Sequence, residues 1–399
     1  MRILHLTSWY SAVGGQEAYL HALCQALGRR GHANTVVYGQ QGGAPFSATV
    51  ASHRIPDIDR PPGPGLEDQW EHLLRLLDLE KPDVVLAHGG ANWALLARLQ
   101  QRLPVLPFVH TFTPVCPGLK FFRTTQSACS RPLGPVCLAS AYVRQCASRH
   151  PQRLWTAYRN TSSLLDFLRG VRRLLLPSQY MHSVMRQNGL QDHQLAMIGY
   201  FTPLLEEPAP PCAADTRLIL FVGRLTESKG LQILLHALSL VKPPWRLLVA
   251  GAGPYEEQAR RLAVRLGLQS AVSFLGWVSR AETVRLYREA SIVVVPPLWP
   301  EPLGLVGLEA MACARPVVSF ATGGIGEWLS DGETGFLVPS GDVRALAAAI
   351  DHLLADPTTA AAMGHRGREM AQEKFSAGRH LAALLGELER AITPGAPVA

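Results

Sequence analysis

Short apolar, β-branched runs recur along this chain, and almost every one hands over to a helical stretch through a loop carrying glycine or histidine. Residues 3–7, 34–38, 83–87, 105–109 and 173–176 make one series; residues 217–222, 245–250, 272–275 and 292–295 make a second. Brief apolar runs bounded by turn residues are the signature of strands covered on both faces, which are parallel strands. Their alternation with helical spacing, as in Tyr19, Leu20, Leu23 and Leu27 or across residues 66–79, predicts an α/β chain built on parallel sheets. At 399 residues the chain is too long for one ordinary core, so two domains are expected. The proline-rich residues 202–215 lie between the two series and read as the linker, giving domains 1–203 and 215–375.

In open parallel sheets, ligands bind at the carboxyl ends of the strands. The most informative loop of that kind follows the run 291–295 and reads Pro300-Glu301-Pro302-Leu303-Gly304-Leu305-Val306-Gly307-Leu308-Glu309-Ala310-Met311-Ala312. Gly304 lets the backbone approach a ligand, and the first N–H groups of the following helix, near Gly304, Leu305 and Val306, form an anion site. Glu301 precedes the helix and Glu309 lies more than a turn into it. A carboxylate is a poor phosphate ligand and a good acceptor for sugar hydroxyls. Phosphate on the helix end with hydroxyls on the two glutamates suggests a phosphate-linked sugar. The plainer reading is a solvated Glu pair flanking a core helix. Arg224 and Lys229, in the loop after residues 217–222, add two cations able to neutralise a diphosphate. Gly14 and Gly15 occupy the first strand-to-helix loop, and His88 and His110 end strands, all on the ligand-binding edge.

Glu301 and Glu309 with seven residues between them, together with Gly223-Arg224…Lys229-Gly230, Gly323-Gly324-Ile325-Gly326-Glu327 and Asp331-Gly332-Glu333-Thr334-Gly335, resemble the retaining nucleotide-sugar glycosyltransferases of family 4. The resemblance runs from the first residues to about 390. It implies the GT-B fold: two Rossmann-like parallel-sheet domains facing a central cleft, with a last helix, residues 376–393, crossing back to the first domain. It also implies roles. Gly14 and Gly15 would lie over the donor phosphates and sugar, and His110 near the donor sugar. Gly223, Arg224, Lys229 and the Gly304, Leu305 and Val306 amides would hold the diphosphate. Glu301 would hold the sugar, Glu309 the ribose, and the backbone near Val278 the base. Glu301, His110, Arg224 and Lys229 are the expected catalytic group. No cofactor is then required, and the donor is a UDP- or GDP-sugar. Residues 198–201 depart from the family pattern, which usually has an asparagine after a proline there. Other GT-B enzymes, such as a nucleotide-sugar epimerase or a phosphorylase, a small-natural-product glycosyltransferase, or an idle sugar-nucleotide-binding protein, are the alternatives.

Gly251-Ala252-Gly253-Pro254 lacks the third glycine of a dinucleotide fingerprint and reads as a sheet-edge turn. Residues 40–65 are rich in Gly and Pro and read as loop; within them Asp57-Ile58-Asp59 lies between prolines with no buried strand before it, which argues against a metal-bridged diphosphate there. Cys116, Cys129, Cys137 and Cys146 fall in the loop of about 114–150, without a C-x-x-C pair. A subset of the family has a similar stretch, and a structural zinc on the four thiolates is one expectation, buried or free thiols the other.

The net charge of +7 is uneven: between Cys116 and Arg186 there are eleven Lys or Arg and one acid, Asp166. That pattern suits an anionic partner, either a membrane surface or an anionic lipid-linked or saccharide acceptor; a solvated basic face is the alternative. No nucleic-acid motif accompanies it. The chain shows no run long enough to span a bilayer and no signal-peptide pattern, so the expectation is a cytoplasmic protein, with peripheral contact at the inner face of the membrane.

Overall fold

The computed structural model describes residues 1–11, 14–42, 50–63, 65–89, 92–118, 120–208 and 217–393. The elements are β1 (Arg2–Ser11), α1 (Gly15–Arg29), β2 (Ala33–Gly42), β3 (Ala51–Arg54), α2 (Leu66–Glu80), β4 (Val84–His88), α3 (Trp93–Gln100), β5 (Val105–Phe108), β6 (Phe121–Phe122), β7 (Ser127–Ala128), α4 (Val136–Val143), α5 (Pro151–Arg169), β8 (Leu174–Leu176), α6 (Gln179–Gln187) and β9 (Leu195–Met197). They continue with β10 (Leu218–Val222), α7 (Leu231–Leu238), β11 (Arg246–Ala250), α8 (Glu256–Arg265), β12 (Val272–Gly276), α9 (Arg280–Glu289), β13 (Ile292–Val295), α10 (Leu305–Ala312), β14 (Val317–Phe320), β15 (Gly335–Val338), α11 (Val343–Ala355), α12 (Pro357–Phe375) and α13 (Ala377–Ile392).

The chain divides into two compact units: residues 1–119, 131–200 and 377–399, and residues 120–130 and 201–376. The first holds a parallel sheet of order β3-β2-β1-β4-β5-β8-β9. Strand order reverses between β1 and β4, so their carboxyl ends splay apart and leave a crevice. Leu4, Leu6, Val37, Val85, Leu95 and Leu99 are buried together between this sheet and its helices. α13 belongs to the same unit. Its Leu381, Leu384 and Leu388 are buried, and Glu387 takes two hydrogen bonds of 2.8 Å from Arg173.

The second unit repeats the plan, with parallel order β12-β11-β10-β13-β14-β15 and a reversal between β10 and β13. Its core joins Ile219, Phe221, Leu234, Leu247, Val294, Val318 and Ile350.

Three expectations change in the structure. Residues 51–54, read as part of a loop spanning 40–65, form β3, which extends the sheet beside β2. The linker expected over 202–215 begins as packed structure. Pro203–Leu205 is a 3-10 turn capped by Thr202, with Leu204 and Leu205 buried and Arg368 donating to the Leu205 and Glu207 carbonyls. Residues 209–216 of that linker lie outside the described residues. Part of the cysteine-bearing segment, the β6–β7 hairpin, belongs to the second unit: Phe121 is 1% exposed within its core, and Gln126 donates to Glu227 at 3.1 Å. An aromatic side chain that finds a closed apolar site outweighs its position in the chain.

Candidate functional site

In the second unit, Arg224 and Lys229 follow β10 while Glu301 follows β13, so the two loops flank the point where strand order reverses. The loops are joined backbone to backbone. Leu298 N–H donates to the Ser228 carbonyl at 2.8 Å. Gly230, at φ 75°, sits where any Cβ would fall 1.8 Å from the Pro296 carbonyl oxygen. This contact brings Lys229 Nζ onto Glu301 Oε1 as an ion pair. Trp299 Nε1 donates to the same oxygen at 2.8 Å, and Lys229 Nζ lies 5.0 Å from the centre of the Trp299 ring. Glu301 is 7% exposed. Its Oε2 makes no hydrogen bond to another described residue, which leaves acceptor sites for a ligand hydroxyl. The main chain of Glu301 is fixed as well. Gly324 N–H donates to its carbonyl at 2.8 Å, and a Cβ on Gly323 would stand 2.1 Å from the same oxygen. The Gly323-Gly324 pair of the sequence motif is therefore the bed on which Glu301 lies.

α10 starts after Gly304, which adopts φ 97° and has no side chain to cap the helix. The leading N–H groups include those of Leu305 and Val306. Trp328 Nε1 donates to the Leu303 carbonyl at 2.6 Å and its ring underlies Gly304 and Gly307. One turn on, Glu309 is 8% exposed; Arg280 pairs with its Oε1 and the Tyr287 hydroxyl donates to its Oε2 at 3.0 Å. Burial, with the Glu309 charge beside it, pushes the Tyr287 hydroxyl well above its usual pKa, so it stays a donor. Burial works against the Arg280 cation, yet the Glu309 carboxylate raises its pKa overall.

Arg224 is exposed, and Val278 is half-buried in the loop between β12 and α9, next to Trp277, which is 54% exposed. Arg280, Tyr287, Trp299 and Trp328 were not singled out from the sequence. Trp299, two residues before Glu301, Arg280, two after Val278, and Trp328, directly after Glu327, were adjacent to residues that were; Tyr287 carried no local signal.

In the first unit the reversal between β1 and β4 carries Gly14, the exposed N-terminal residue flanking α1, and Gly15, its first residue. Gln16 donates to the carbonyl of His88 at 3.1 Å. His88 and His110 are interior groups linked at 3.0 Å, and with His5 they form a chain: His5 Nδ1 to His88 Nε2 at 3.1 Å, and His110 Nδ1 to the Tyr200 hydroxyl at 2.6 Å. The direction of every bond follows from one end. Asn34 Nδ2 donates to the Cys24 and His32 carbonyls, which leaves its Oδ1 to accept from His5 Nε2 at 3.0 Å. Burial lowers all three imidazoles, so each is neutral and carries one proton. His88 then donates to His5, His110 to His88, and Tyr200 to His110. Both nitrogens of His110 are thus engaged inside the unit, so a hydroxyl-orienting role for that ring requires one of these bonds to be exchanged. Beside the chain, Tyr19 donates to His380 Nε2 at 3.0 Å while His380 Nδ1 donates to the Gly199 carbonyl at 2.6 Å. Tyr200 stands in the very stretch where the sequence departs from the family pattern.

Cys116, Cys129, Cys137 and Cys146 are partly buried and form no disulfide, and among the described residues no group of three or more His, Cys, Asp or Glu side chains is arranged to hold a metal ion. The division at residues 120–130 assigns Cys129 to one unit and the other three to the other. Asp57 pairs with Arg60 at 2.9 Å. Among the described residues no helix is long and apolar enough to cross a membrane.

Two reversing parallel sheets with these loops are the GT-B architecture. The structure superposes over 98% of the chain on Anabaena HepE in complex with UDP and glucose (TM-score 0.74, 21% identity, 99% of that chain) and on WaaG, a glycosyltransferase involved in lipopolysaccharide biosynthesis (TM-score 0.70, 17% identity, 100% of that chain). Sequence profiles then give the family: Glycosyltransferase Family 4 matches residues 13–199 and Glycosyl transferases group 1 matches residues 207–370. The chain belongs to the family 4 glycosyltransferases. It is 37% identical, over 43% of its length and 48% of the relative's, to a GDP-mannose-dependent α-(1-6)-phosphatidylinositol monomannoside mannosyltransferase of Mycolicibacterium smegmatis. It is 38% identical, over 45% of its length and 38% of the relative's, to a D-inositol 3-phosphate glycosyltransferase of Mycobacterium bovis. The matched segment thus spans half or less of the length of these curated relatives.

Proposed function

We propose that this protein transfers a sugar from a UDP- or GDP-sugar to a hydroxyl of a saccharide or lipid-linked acceptor, retaining the anomeric configuration. The observation that carries the reading is the Lys229–Glu301 pair at the strand reversal, beside the uncapped start of α10. Breaking the anomeric carbon–phosphate bond puts negative charge on the diphosphate and positive charge on the sugar ring. Lys229, Arg224 and the Leu305 and Val306 amides meet the first; the Glu301 carboxylate meets the second while accepting a ring hydroxyl. Each such pre-set group is worth about 2–4 kcal/mol in the transition state. The bond from anomeric carbon to acceptor oxygen forms on the face the phosphate leaves, and the acceptor proton passes to the departing phosphate oxygen. Glu309 is the ribose acceptor, with Arg280 and Tyr287 holding its carboxylate in place. No step needs a metal. The UDP bound to HepE and the GDP-mannose dependence of the mannosyltransferase support a nucleotide-diphosphate donor and leave the base open.

The test is a donor screen reading nucleotide release from UDP- and GDP-sugars, repeated with Glu301→Gln. That variant keeps size and hydrogen bonding to Trp299 while removing the charge. It is expected to retain the wild-type circular dichroism spectrum and to lose about a hundredfold or more in kcat. Turnover close to that of the unsubstituted protein refutes the role given to Glu301.

A further inference from the structure

We propose that the β6–β7 hairpin positions the Arg224–Lys229 loop for a diphosphate, with Gln126 acting on Lys229 through Glu227. The proposal rests on the reading of Lys229 as a diphosphate ligand. Strands of two residues do not hold a hairpin by their own ladder, even with Cys129 N–H donating to the Lys120 carbonyl at 2.9 Å beyond them. What holds this one is Phe121, buried in a cluster with Leu225 of the loop and with Leu231 and Leu234 of α7. The tip reaches the same loop by a second route. Gln126 adopts φ 46°, where glycine or asparagine is the usual residue, and its Nε2 donates to Glu227 Oε1 at 3.1 Å. Thr125 and Ser127, on either side of it, join hydroxyls at 2.8 Å and close the tip. Glycine would relieve the backbone at that position but would bring no amide to Glu227. Hairpin and loop both lie within the second unit.

Glu227 opens the 3-10 turn Glu227–Lys229, and every residue of that turn is tied. The Glu227 carbonyl accepts from Gln232 Nε2 at 2.8 Å and from Gly230 N–H at 3.2 Å, Gln232 being a buried side chain of α7. The Ser228 carbonyl accepts from Leu298 N–H, and Lys229 pairs with Glu301. Residues bound into one tight turn shift together, so a displacement of Glu227 carries Lys229 with it. The Gln126 amide has a second effect, on charge. Glu227 is the one acid among residues 223–230, and an untethered carboxylate two residues from Lys229 repels the phosphates that Lys229 and Arg224 attract. The amide holds one of its oxygens against the hairpin. Gln126 is therefore a positioning residue: it touches no donor atom and acts through the acid it holds.

The experiment is isothermal titration calorimetry of the full chain with UDP, GDP, UMP and GMP, with a melting curve for each variant. Gln126→Gly removes the amide and relieves the positive φ. It should melt no lower than the unsubstituted protein, yet bind the nucleoside diphosphate about fivefold more weakly. Gln126→Glu sets a carboxylate against Glu227 and should weaken binding about twentyfold. Adding Glu227→Gln turns the pair around, so that the amide now donates from the loop to the hairpin, and should bring affinity back to within about twofold. The monophosphates lack the second phosphate and should bind these variants as they bind the unsubstituted protein. Thr124→Ala, at an exposed position of the same hairpin, should change neither melting nor binding. Should Gln126→Glu fail to fold, Gln126→Gly and the double variant decide. Diphosphate affinity unchanged in the Gln126 variants, an equal loss for the monophosphates, or no recovery in the double variant overturns the proposal and leaves the functional reading standing. Failure of the unsubstituted protein to bind either diphosphate overturns both.

Discussion

Acid should unfold the first unit before the second, because the first buries four neutral histidines. His5, His88, His110 and His380 are each 5% exposed or less. Burial pushes His5 from 6.5 to about 4, His110 to about 3 and His380 to about 4, and with its histidine neighbours holds His88 well below 6.5. Folded values therefore lie below unfolded ones. Above pH 6.5 neither state takes up a proton and the unit has its full stability. Below it, the unfolded chain binds protons that the fold refuses, and stability falls until the folded values are reached. The slope is at most about 1.4 kcal/mol per pH unit for each ring. Integrated from about pH 7.5 down to about pH 5 this is roughly 2 kcal/mol per histidine and roughly 8 kcal/mol for the set, against a typical domain stability of about 5–15 kcal/mol. His236, His352 and His365 of the second unit are exposed rather than buried. Hydrogen–deuterium exchange read by mass spectrometry at about pH 7.5 and about pH 5 distinguishes the units. After correction for intrinsic rates, peptides from β4 and β5 should lose orders of magnitude of protection, and peptides from β10 and β13 far less. Equal loss in both units, or none in β4 and β5, refutes the argument.

Other substitutions probe the second unit. Gly307→Ala places a Cβ 1.9 Å from the Trp328 ring, so it should cost about 1–3 kcal/mol in urea unfolding and disturb the start of α10; an unchanged midpoint rules that packing out. Tyr287→Phe removes a donor to the buried Glu309 carboxylate and should cost about 1.5–3 kcal/mol by the same measure, with KM for the nucleotide sugar raised more than kcat is lowered. Gly323→Ala forces a Cβ against the Glu301 carbonyl at a positive φ, and should depress kcat through displacement of Glu301 while donor binding by calorimetry changes little. A fall in affinity with kcat intact would contradict that account.

Much of the architecture was legible because it is written in local terms. A strand covered on both faces must be apolar throughout, a strand-to-helix loop needs glycine, and a helix shows a period. Glu301, Glu309, Arg224 and Lys229 stood out because each occupies such a loop or the first turns after it. What stayed hidden was the set of partners that hold those side chains. Lys229 and Glu301 are 72 residues apart and Glu309 and Arg280 are 29 apart, and no periodicity reports a pairing across strands. Weak strand signals were missed too: β3 carries Ser and His, and its burial is slight because it lies at the sheet edge.

Residue order alone determined that this protein is α/β in two repeats, that its ligand edge carries acid, base and glycine in the order of family 4, and that one segment is basic. Tertiary structure decided which of those groups touch. It engaged both nitrogens of His110 within a line of neutral rings running to Asn34, and divided the cysteine segment between units through Phe121. It turned the apolar residues of α4 outward. The reason is one of range. Backbone preference and burial period act over a few residues, whereas a hydrogen bond such as that from Tyr19 to His380, 361 residues apart, exists only once the whole sheet has formed.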